Sequence, residues 1–181
     1  THVNISEFMD RWQTEREFTL ADKQREAVEK SLDSGLTVIT GGPGTGKTTV
    51  VKAIIALAEQ EGLNILLCAP TGRAAKRLAE TTQRKAKTIH RLLGPAGYVG
   101  SHPLFDHNRD NPLEGDLIIV DEVSMLDLEL TDCLLEALPG RCRCILVGDA
   151  DQLASVGAGA VLHDIIRSET VPVVRLETIF R

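Results

Sequence analysis

Residues 41–49 have the composition and spacing of a loop that binds nucleotide phosphates. They read GGPGTGKTT and match the pattern G-x-x-x-x-G-K-[ST]. In such a loop, glycines let backbone N–H groups face the phosphates, the lysine reaches the β- and γ-phosphates, and the following hydroxyl binds Mg²⁺. The predicted nucleotide ligands are Gly42, Pro43, Gly44, Thr45, Gly46, Lys47, Thr48 and Thr49. The alternative is a glycine-rich turn with an incidental lysine.

Two carboxylates follow the fully apolar run 117–120, which is predicted to be a buried strand. A carboxylate at such a strand end can hold Mg²⁺, and its neighbour can deprotonate a water that attacks the γ-phosphate. We therefore expect Asp121 to join Thr48 at the metal and Glu122 to act on the water. Acidic residues after a strand also serve as helix caps, which is the alternative reading.

Two glutamines lie where a side-chain amide could contact a nucleotide. Gln152 follows the predicted strand 144–147 and could hydrogen-bond the γ-phosphate or the attacking water. Gln24 precedes the phosphate-loop strand and could make paired contacts with the adenine edge. A lone glutamine is usually a surface residue, so Gln24 by itself indicates little.

Strands and helices alternate along the chain in a way that would place these side chains together. Helical spacing follows Lys47 up to Gly62, and a further helix is expected after Thr71-Gly72. Predicted strands are 36–40, 64–69, 117–120, 144–147 and 171–176. This alternation predicts an α/β domain with a mainly parallel sheet and helices on both faces, in which ligands collect at the carboxyl ends of the strands.

The remaining segments are expected to support this domain. Ile5, Phe8, Met9 and Trp12 have the spacing of one helical face, behind Asn4 and Glu7 as a capping pair. A second helix is predicted from Thr19 to about Gly35. A later helix is predicted to include Ser124, and its solvated face is predicted to contain Asp127, Asp132 and Glu136. The segment 94–115 shows no periodicity and is predicted to be a surface loop. We divide the chain into an N-terminal helical segment, 1–18, and a domain, 19–181.

Composition narrows the class of protein. The 181 residues are 43% apolar, and no apolar run approaches the roughly 18 residues that span a bilayer. No N-terminal signal pattern is present, so we expect a cytoplasmic protein without a membrane partner. The four cysteines lack the paired spacing of a zinc site, and we expect reduced thiols.

Charge is unevenly distributed along the chain. The net charge is −6, yet residues 70–91 contain seven Lys or Arg and one Glu, whereas residues 116–136 contain seven acidic residues and no basic one. A local basic surface on an acidic body is compatible with phosphate contacts at one face. A solvated helix face explains the same charges equally well.

Taken together, the ordered motifs resemble the RecD-like branch of superfamily-one DNA helicases. The resemblance covers the chain from about Leu20 to its end. The matching stretches are 20–28, 41–49, 69–75, 88–93, 120–125, 148–153 and 177–181.

The resemblance implies a RecA-like P-loop NTPase domain, a three-layer sandwich that hydrolyses ATP with Mg²⁺ and moves 5′ to 3′ on single-stranded DNA. By resemblance, Gln24 contacts adenine, Asp121 the metal, Glu122 the water and Gln152 the γ-phosphate. By the same resemblance, Lys47 and Thr48 contact the phosphates and Mg²⁺, and Arg181 corresponds to an arginine that stabilises charge on the transferred phosphoryl group. The positions that match DNA-contacting residues of the family are Thr71, Arg73, Thr88 and His90.

Two departures from the family pattern modify this expectation. Ala154-Ser155 stands where many members have two prolines, a difference that we expect this branch to tolerate. Such helicases also need a second RecA-like domain, of which this chain shows no motif, so we expect weak ATP hydrolysis and no unwinding by the chain alone. Recombination nuclease subunits are further candidate partners. Two alternatives stay open: the helicase half of a conjugative relaxase, and a non-catalytic nucleotide switch, against which Glu122 argues.

Overall fold

Parallel strands form the centre of the molecule. The structure, a computed structural model, describes residues 3–152 and 161–180. The strands in these residues are β1 (Leu36–Gly41), β2 (Ile65–Ala69), β3 (Lys87–Thr88), β4 (Pro95–Val99), β5 (His102–Phe105), β6 (Leu117–Val120), β7 (Arg143–Gly148) and β8 (Val173–Leu176). Six of them form one sheet in the order β3-β2-β6-β7-β1-β8, and every pair in it is parallel. The predicted mainly parallel sheet is confirmed.

Helices cover both faces of this sheet. Those in the described residues are α1 (Ile5–Glu15), α2 (Asp22–Asp33), α3 (Lys47–Gln60), α4 (Gly72–Thr82), α5 (Ile89–Leu93), α6 (Leu128–Ala137) and α7 (Val161–Ser168). A 3₁₀ turn, Val123–Met125, precedes α6. None of these helices is long and apolar enough to cross a membrane.

Alternate residues of each strand face two separate apolar cores. Ile39, Ile119 and Ile145 pack with the buried faces of α1, α2 and α3. Their strand neighbours, such as Val38 and Ile118, pack on the opposite face with α5, α6 and α7. Successive strand side chains point to opposite faces, so fully apolar strands produce two cores. The result is the expected three-layer α/β sandwich.

The N-terminal helix is confirmed, as is the Asn4 half of its predicted capping pair. The Asn4 side chain accepts hydrogen bonds from the backbone N–H groups of Ser6 and Glu7, at 3.1 and 3.3 Å. Phe8, Met9 and Trp12 are buried in the core that α1 shares with α3. Helix α1 therefore packs on the domain as its apolar spacing indicates.

The predicted start of the second helix is wrong by three residues. Helix α2 begins at Asp22 rather than at Thr19. The Leu20 N–H donates to Gln13 Oε1 at 2.6 Å, and the Ala21 N–H donates to Gln24 Oε1 at 2.9 Å. Side chains satisfy these two N–H groups, so the helix starts after them.

The prediction of a surface loop at 94–115 is wrong for residues 95–105. Strands β4 and β5 form an antiparallel hairpin in which Val99 pairs with His102 around the two-residue turn Gly100-Ser101. Every residue of β4 is exposed, so no alternation of apolar and polar residues marks the strand. Gly100 has a positive φ of 62°, and Gly-Ser is a typical two-residue hairpin turn. The dipeptide Gly100-Ser101 was therefore the sequence signal that could have predicted the hairpin.

The region after β6 differs from the predicted single helix. Ser124 lies in the 3₁₀ turn and is buried, whereas α6 starts only at Leu128. The Asp127 carboxylate caps α6 by accepting from the Leu130 N–H at 2.7 Å. Asp127 is therefore a cap and not part of the solvated face, on which Asp132 and Glu136 do lie exposed.

Candidate nucleotide-binding site

A cavity of about 690 Å³ lies at the carboxyl ends of β1, β6 and β7. The segment after β1 contributes residues 43–49, the turn after β6 contributes Asp121 and Glu122, and the loop after β7 contributes Gln152. Gln24 joins them from α2. One cavity thus brings together nearly all of the residues predicted to contact nucleotide and metal. The exceptions are Gly42, which does not line it, and Arg181, which lies outside the described residues.

Hydrogen bonds within the phosphate loop hold Lys47. Its ammonium group donates to the Gly41 carbonyl and, at 2.9 Å, to the Gly42 carbonyl. The Gly42 carbonyl also accepts from the Thr45 hydroxyl at 2.6 Å. The Gly42 carbonyl therefore accepts two hydrogen bonds within the loop. Lys47, which donates one of them, also lines the cavity.

Gly46 has no tolerable substitute in this loop. It caps the N-terminus of α3 with φ 85° and ψ 22°, a left-handed conformation that glycine adopts without strain. A Cβ built on Gly46 would overlap the side-chain amide of Gln24. The loop conformation and the close approach of Gln24 both require a glycine at this position.

Gln24 is 3% exposed and is already hydrogen-bonded within the protein. Its amide oxygen accepts from Ala21 N–H, and its amide nitrogen donates to the Gly46 carbonyl at 3.3 Å. A glutamine amide has two acceptor lone pairs and two N–H donors, so one of each is left. Gln24 links α2 to the phosphate loop, and its predicted contact with adenine would use the remaining pair.

Asp121 is a partly buried carboxylate that directly follows β6. The pKa of Asp121 is raised, chiefly by burial and to a smaller extent by the charge of Glu122. The hydrogen bond from the Glu122 backbone N–H and the charges of Lys47 and Arg77 act in the opposite direction and lower the pKa. That N–H donates to Asp121 Oδ1 at 2.9 Å. Asp121 and the Thr48 hydroxyl line the same cavity. Mg²⁺ in nucleotide sites binds one or two carboxylates together with phosphates, so this set of hard oxygen donors fits it.

Glu122 has a backbone conformation that is rare for a residue with a side chain. Its φ of 55° and ψ of 41° lie in the left-handed region. The turn that follows stabilises it, because the Met125 N–H donates to the Glu122 carbonyl at 3.0 Å. The turn also packs against β7, where a Cβ on Gly148 would lie 2.8 Å from Val123 Cγ2. Strained residues of this kind cluster at functional sites.

Two hydroxyl groups position the loop after β7. The Ser124 hydroxyl donates to Gln152 Oε1 at 3.1 Å. The Thr40 hydroxyl accepts from the Ala150 N–H at 3.0 Å, which fixes the loop to the end of β1. The amide nitrogen of Gln152 is a donor only, and the predicted contact with a γ-phosphate oxygen would use it.

Sequence reasoning missed several residues of the cavity wall. Arg77 of α4 lies with its Nη1 3.5 Å from Glu122 Oε1. Phe180 donates its backbone N–H to the Gly44 carbonyl at 2.9 Å, and Phe18 and Asp149 also line the cavity. Phe180 lies in the stretch 177–181 that matches the family, and this match was the available signal. Arg77 had no such signal, because many exposed arginines lie on helices.

The four candidate DNA contacts lie around the ends of β2 and β3. The Thr71 and Thr88 hydroxyls cap α4 and α5 by accepting from the N–H groups of Ala74 and Arg91, each at 3.1 Å. Thr88 pairs with Ala69 of β2, so both caps lie at one edge of the sheet. Arg73 is exposed, and His90 lies edge-on to Phe105 with ring centroids 5.9 Å apart. None of the four lines the nucleotide cavity.

Comparisons with known proteins indicate the family of this chain. The model of the AAA domain family (AAA_19) matches residues 24–158. The chain is 46% identical over 164 residues to the ATP-dependent RecD2 DNA helicase of Deinococcus radiodurans, covering 90% of this chain and 22% of that protein. It is 48% identical over 168 residues to the RecBCD enzyme subunit RecD of Mycolicibacterium smegmatis, covering 80% of this chain and 30% of the subunit. The chain thus spans less than a third of the length of these relatives.

Solved structures agree on the fold. A structure of two coordinating Pif1 helicases at forked double-stranded DNA matches with a TM-score of 0.62 at 23% identity, covering 90% of this chain and 45% of that one. Pif1 helicase from Candida albicans matches with a TM-score of 0.61 at 22% identity, covering 90% and 41%. The resemblance to RecD-like superfamily-one helicases is confirmed, and the chain belongs to the AAA domain family.

Proposed function

We propose that this chain is the ATP-binding and ATP-hydrolysing motor domain of a DNA helicase that moves 5′ to 3′ on single-stranded DNA. The observation that carries the proposal is the meeting of Lys47, Thr48, Asp121, Glu122 and Gln152 around one cavity. These groups come from three different loops, and each has the chemistry of one step of phosphoryl transfer.

Each side chain has a separate part in the reaction. Lys47 binds β- and γ-phosphate oxygens, and Thr48 and Asp121 hold Mg²⁺. When bound, the metal neutralises charge on the phosphate oxygens. Glu122 accepts the proton of the attacking water, and the Gln152 amide nitrogen donates to a γ-phosphate oxygen.

We infer that the whole protein contains a second RecA-like domain, which would complete this nucleotide site. The length of the relatives supports this inference, since this chain covers 22% and 30% of the two named above. Arg181 and an arginine from that domain would stabilise charge on the transferred phosphoryl group. Loss of such an arginine lowers rates by about 10³- to 10⁵-fold, so the chain alone should hydrolyse ATP slowly and unwind no DNA.

Single-stranded DNA is the proposed track. The candidate contacts Thr71, Arg73, Thr88 and His90 lie near the ends of β2 and β3, at the same end of the sheet as the nucleotide cavity. Phosphate contacts of this kind position a strand without reading its sequence. Because the relative from Mycolicibacterium smegmatis is named as a RecBCD enzyme subunit, recombination nuclease subunits are proposed as partners of the whole protein.

Steady-state ATP hydrolysis, with and without oligothymidine, tests the function. We expect the full-length protein to be stimulated by DNA and this chain alone to be slow. Lys47→Ala should abolish ATP binding, whereas Glu122→Gln should retain binding and lose hydrolysis. Duplexes with a 5′ or a 3′ single-stranded tail test direction, and only the 5′-tailed duplex should be unwound. If Glu122→Gln hydrolyses ATP normally, Glu122 is not the group that activates water. If DNA has no effect on hydrolysis by the full-length protein, a nucleotide switch replaces the motor.

A further inference from the structure

Arg77 and Glu122 form an ion pair inside the nucleotide cavity. Arg77 Nη1 lies 3.5 Å from Glu122 Oε1, and both residues line the cavity. Arg77 belongs to α4, which follows β2, whereas Glu122 follows β6, the neighbour of β2 in the sheet. The pair therefore joins two adjacent strand ends, and it involves the one carboxylate to which we assign the attacking water.

This pair has the features of a contact that exchanges easily. At 3.5 Å it is long for a charge-assisted hydrogen bond, and the Arg77 side chain is 60% exposed. Exposed ion pairs of this kind are weak, because solvent screens them and both side chains lose rotamer freedom. A stronger anion for Arg77, such as a phosphate group, would compete for the guanidinium.

Arg77 lines the nucleotide cavity and belongs to the same helix as the candidate DNA contact Arg73. It is four residues after Arg73 on α4, and residues at this spacing are neighbours on one side of a helix. Arg73 and the Thr71 cap lie at the end of α4 that we assign to DNA. The Arg77 guanidinium thus reaches the nucleotide cavity from a helix whose first turn faces the proposed track.

From this geometry we propose that Arg77 is a positioning residue that restrains Glu122, and that a backbone phosphate of single-stranded DNA releases Glu122 by binding Arg77. While paired, Glu122 directs one carboxylate oxygen at the guanidinium and presents less of the carboxylate to a water. Once Arg77 binds the DNA phosphate, both oxygens are available to accept the proton. The inference rests on the proposed function, because it takes Glu122 to be the group that activates water.

The test measures kcat and KM for ATP in the full-length protein, with and without oligothymidine. Arg77→Gln removes the charge and keeps a side chain of similar polarity. We expect it to raise kcat without DNA by roughly two- to five-fold, the range of a weak exposed ion pair, and to leave KM unchanged. DNA should then stimulate hydrolysis by a smaller factor. Arg77→Lys, which keeps a charge, should fall between Arg77→Gln and the unchanged protein.

Controls separate this inference from the proposed function. Arg109→Gln breaks another exposed Arg–Glu pair, with Glu136 at 2.8 Å, away from the cavity, and should change neither constant. Arg77→Gln combined with Glu122→Gln should be as inactive as Glu122→Gln. If Glu122→Gln is itself active, the proposed function fails. If it is inactive but Arg77→Gln lowers kcat without DNA, or raises KM instead, Arg77 acts directly on nucleotide and the restraint is disproved.

Discussion

The Ser124 hydroxyl donates to Gln152 Oε1 at 3.1 Å and so connects the turn after β6 with the loop after β7. Ser124 is 8% exposed, and it lies two residues after Glu122. Ser124 therefore holds the Gln152 amide, which is proposed to contact the γ-phosphate. It does so from the turn that follows Glu122, the group that is proposed to activate water.

Removal of this hydroxyl should impair hydrolysis without affecting ATP binding. Ser124→Ala leaves Gln152 without its orienting hydrogen bond, and we expect kcat to fall by roughly 2- to 10-fold, the value of one such bond. Ser31→Ala is the matched control, because it removes a buried hydroxyl of α2 that donates to the Ala27 carbonyl at 2.7 Å, outside the cavity. Equal rates for the two variants would show that Gln152 needs no orientation by Ser124.

A methyl group at Gly46 should disrupt the phosphate loop. Gly46→Ala forces a left-handed residue, at a cost of roughly 1–2 kcal/mol, and its Cβ would collide with Gln24. We expect a lower midpoint of thermal unfolding and loss of ATP binding. Gly35→Ala is the control, since no atom lies within 4 Å of its added Cβ and its φ is not positive. ATP binding by Gly46→Ala at normal affinity would contradict this account of the loop.

The raised pKa of Asp121 predicts how stability depends on pH. Burial disfavours the ionised carboxylate in the folded state, so ionisation of Asp121 destabilises the fold. This cost is absent below the unfolded pKa of about 3.9, and it is fully present above the higher folded pKa. Asp121→Asn should therefore be more stable than the unchanged protein at pH 7, by an amount that shrinks as the pH falls towards 4.

Urea unfolding without nucleotide or Mg²⁺, at a series of pH values, measures this difference. The exposed Asp132→Asn on α6 is the matched control and should show little change. The same Asp121→Asn variant should bind Mg²⁺ and ATP more weakly, because the amide lacks the charge of the carboxylate. A stability gain that is largest at low pH would mean that the folded protein favours ionised Asp121.

Changes at the proposed DNA edge should weaken DNA binding uniformly. Arg73→Gln with His90→Ala should lower affinity for oligonucleotides of every sequence, since backbone contacts do not read bases. The slope of log affinity against log salt should become less steep by about 1 if Arg73 neutralises one phosphate. ATP affinity should not change.

Arg141→Gln is the control for this test, because Arg141 is exposed just before β7, at the amino end of the sheet. Fluorescence anisotropy at several salt concentrations measures the DNA affinities. A selective loss of ATP binding in the Arg73 and His90 variant would mean that these residues belong to the nucleotide surface instead.

Much of the fold could be predicted from the sequence, because the patterns that mark its strands involve residues that are adjacent along the chain. Strand β6 has the predicted limits, and β1, β2, β7 and β8 lie within two residues of theirs, since fully apolar runs between turns mark buried parallel strands. The β4–β5 hairpin was not predicted, because every residue of β4 is exposed and the strand shows no alternation of apolar and polar residues. Helix α2 starts late because side chains of Gln13 and Gln24 satisfy two backbone N–H groups, which propensity does not reveal.

The sequence by itself determined the phosphate loop, the paired carboxylates after β6 and the parallel sheet, because each depends on residues that are adjacent along the chain. Only the tertiary structure decided which distant residues meet: Arg77 with Glu122, Ser124 with Gln152, and Phe180 with Gly44. The strand order β3-β2-β6-β7-β1-β8 produces these contacts by placing loops from separate parts of the chain at one edge. Side-chain packing between those loops then sets the geometry, and no local pattern in the sequence encodes it.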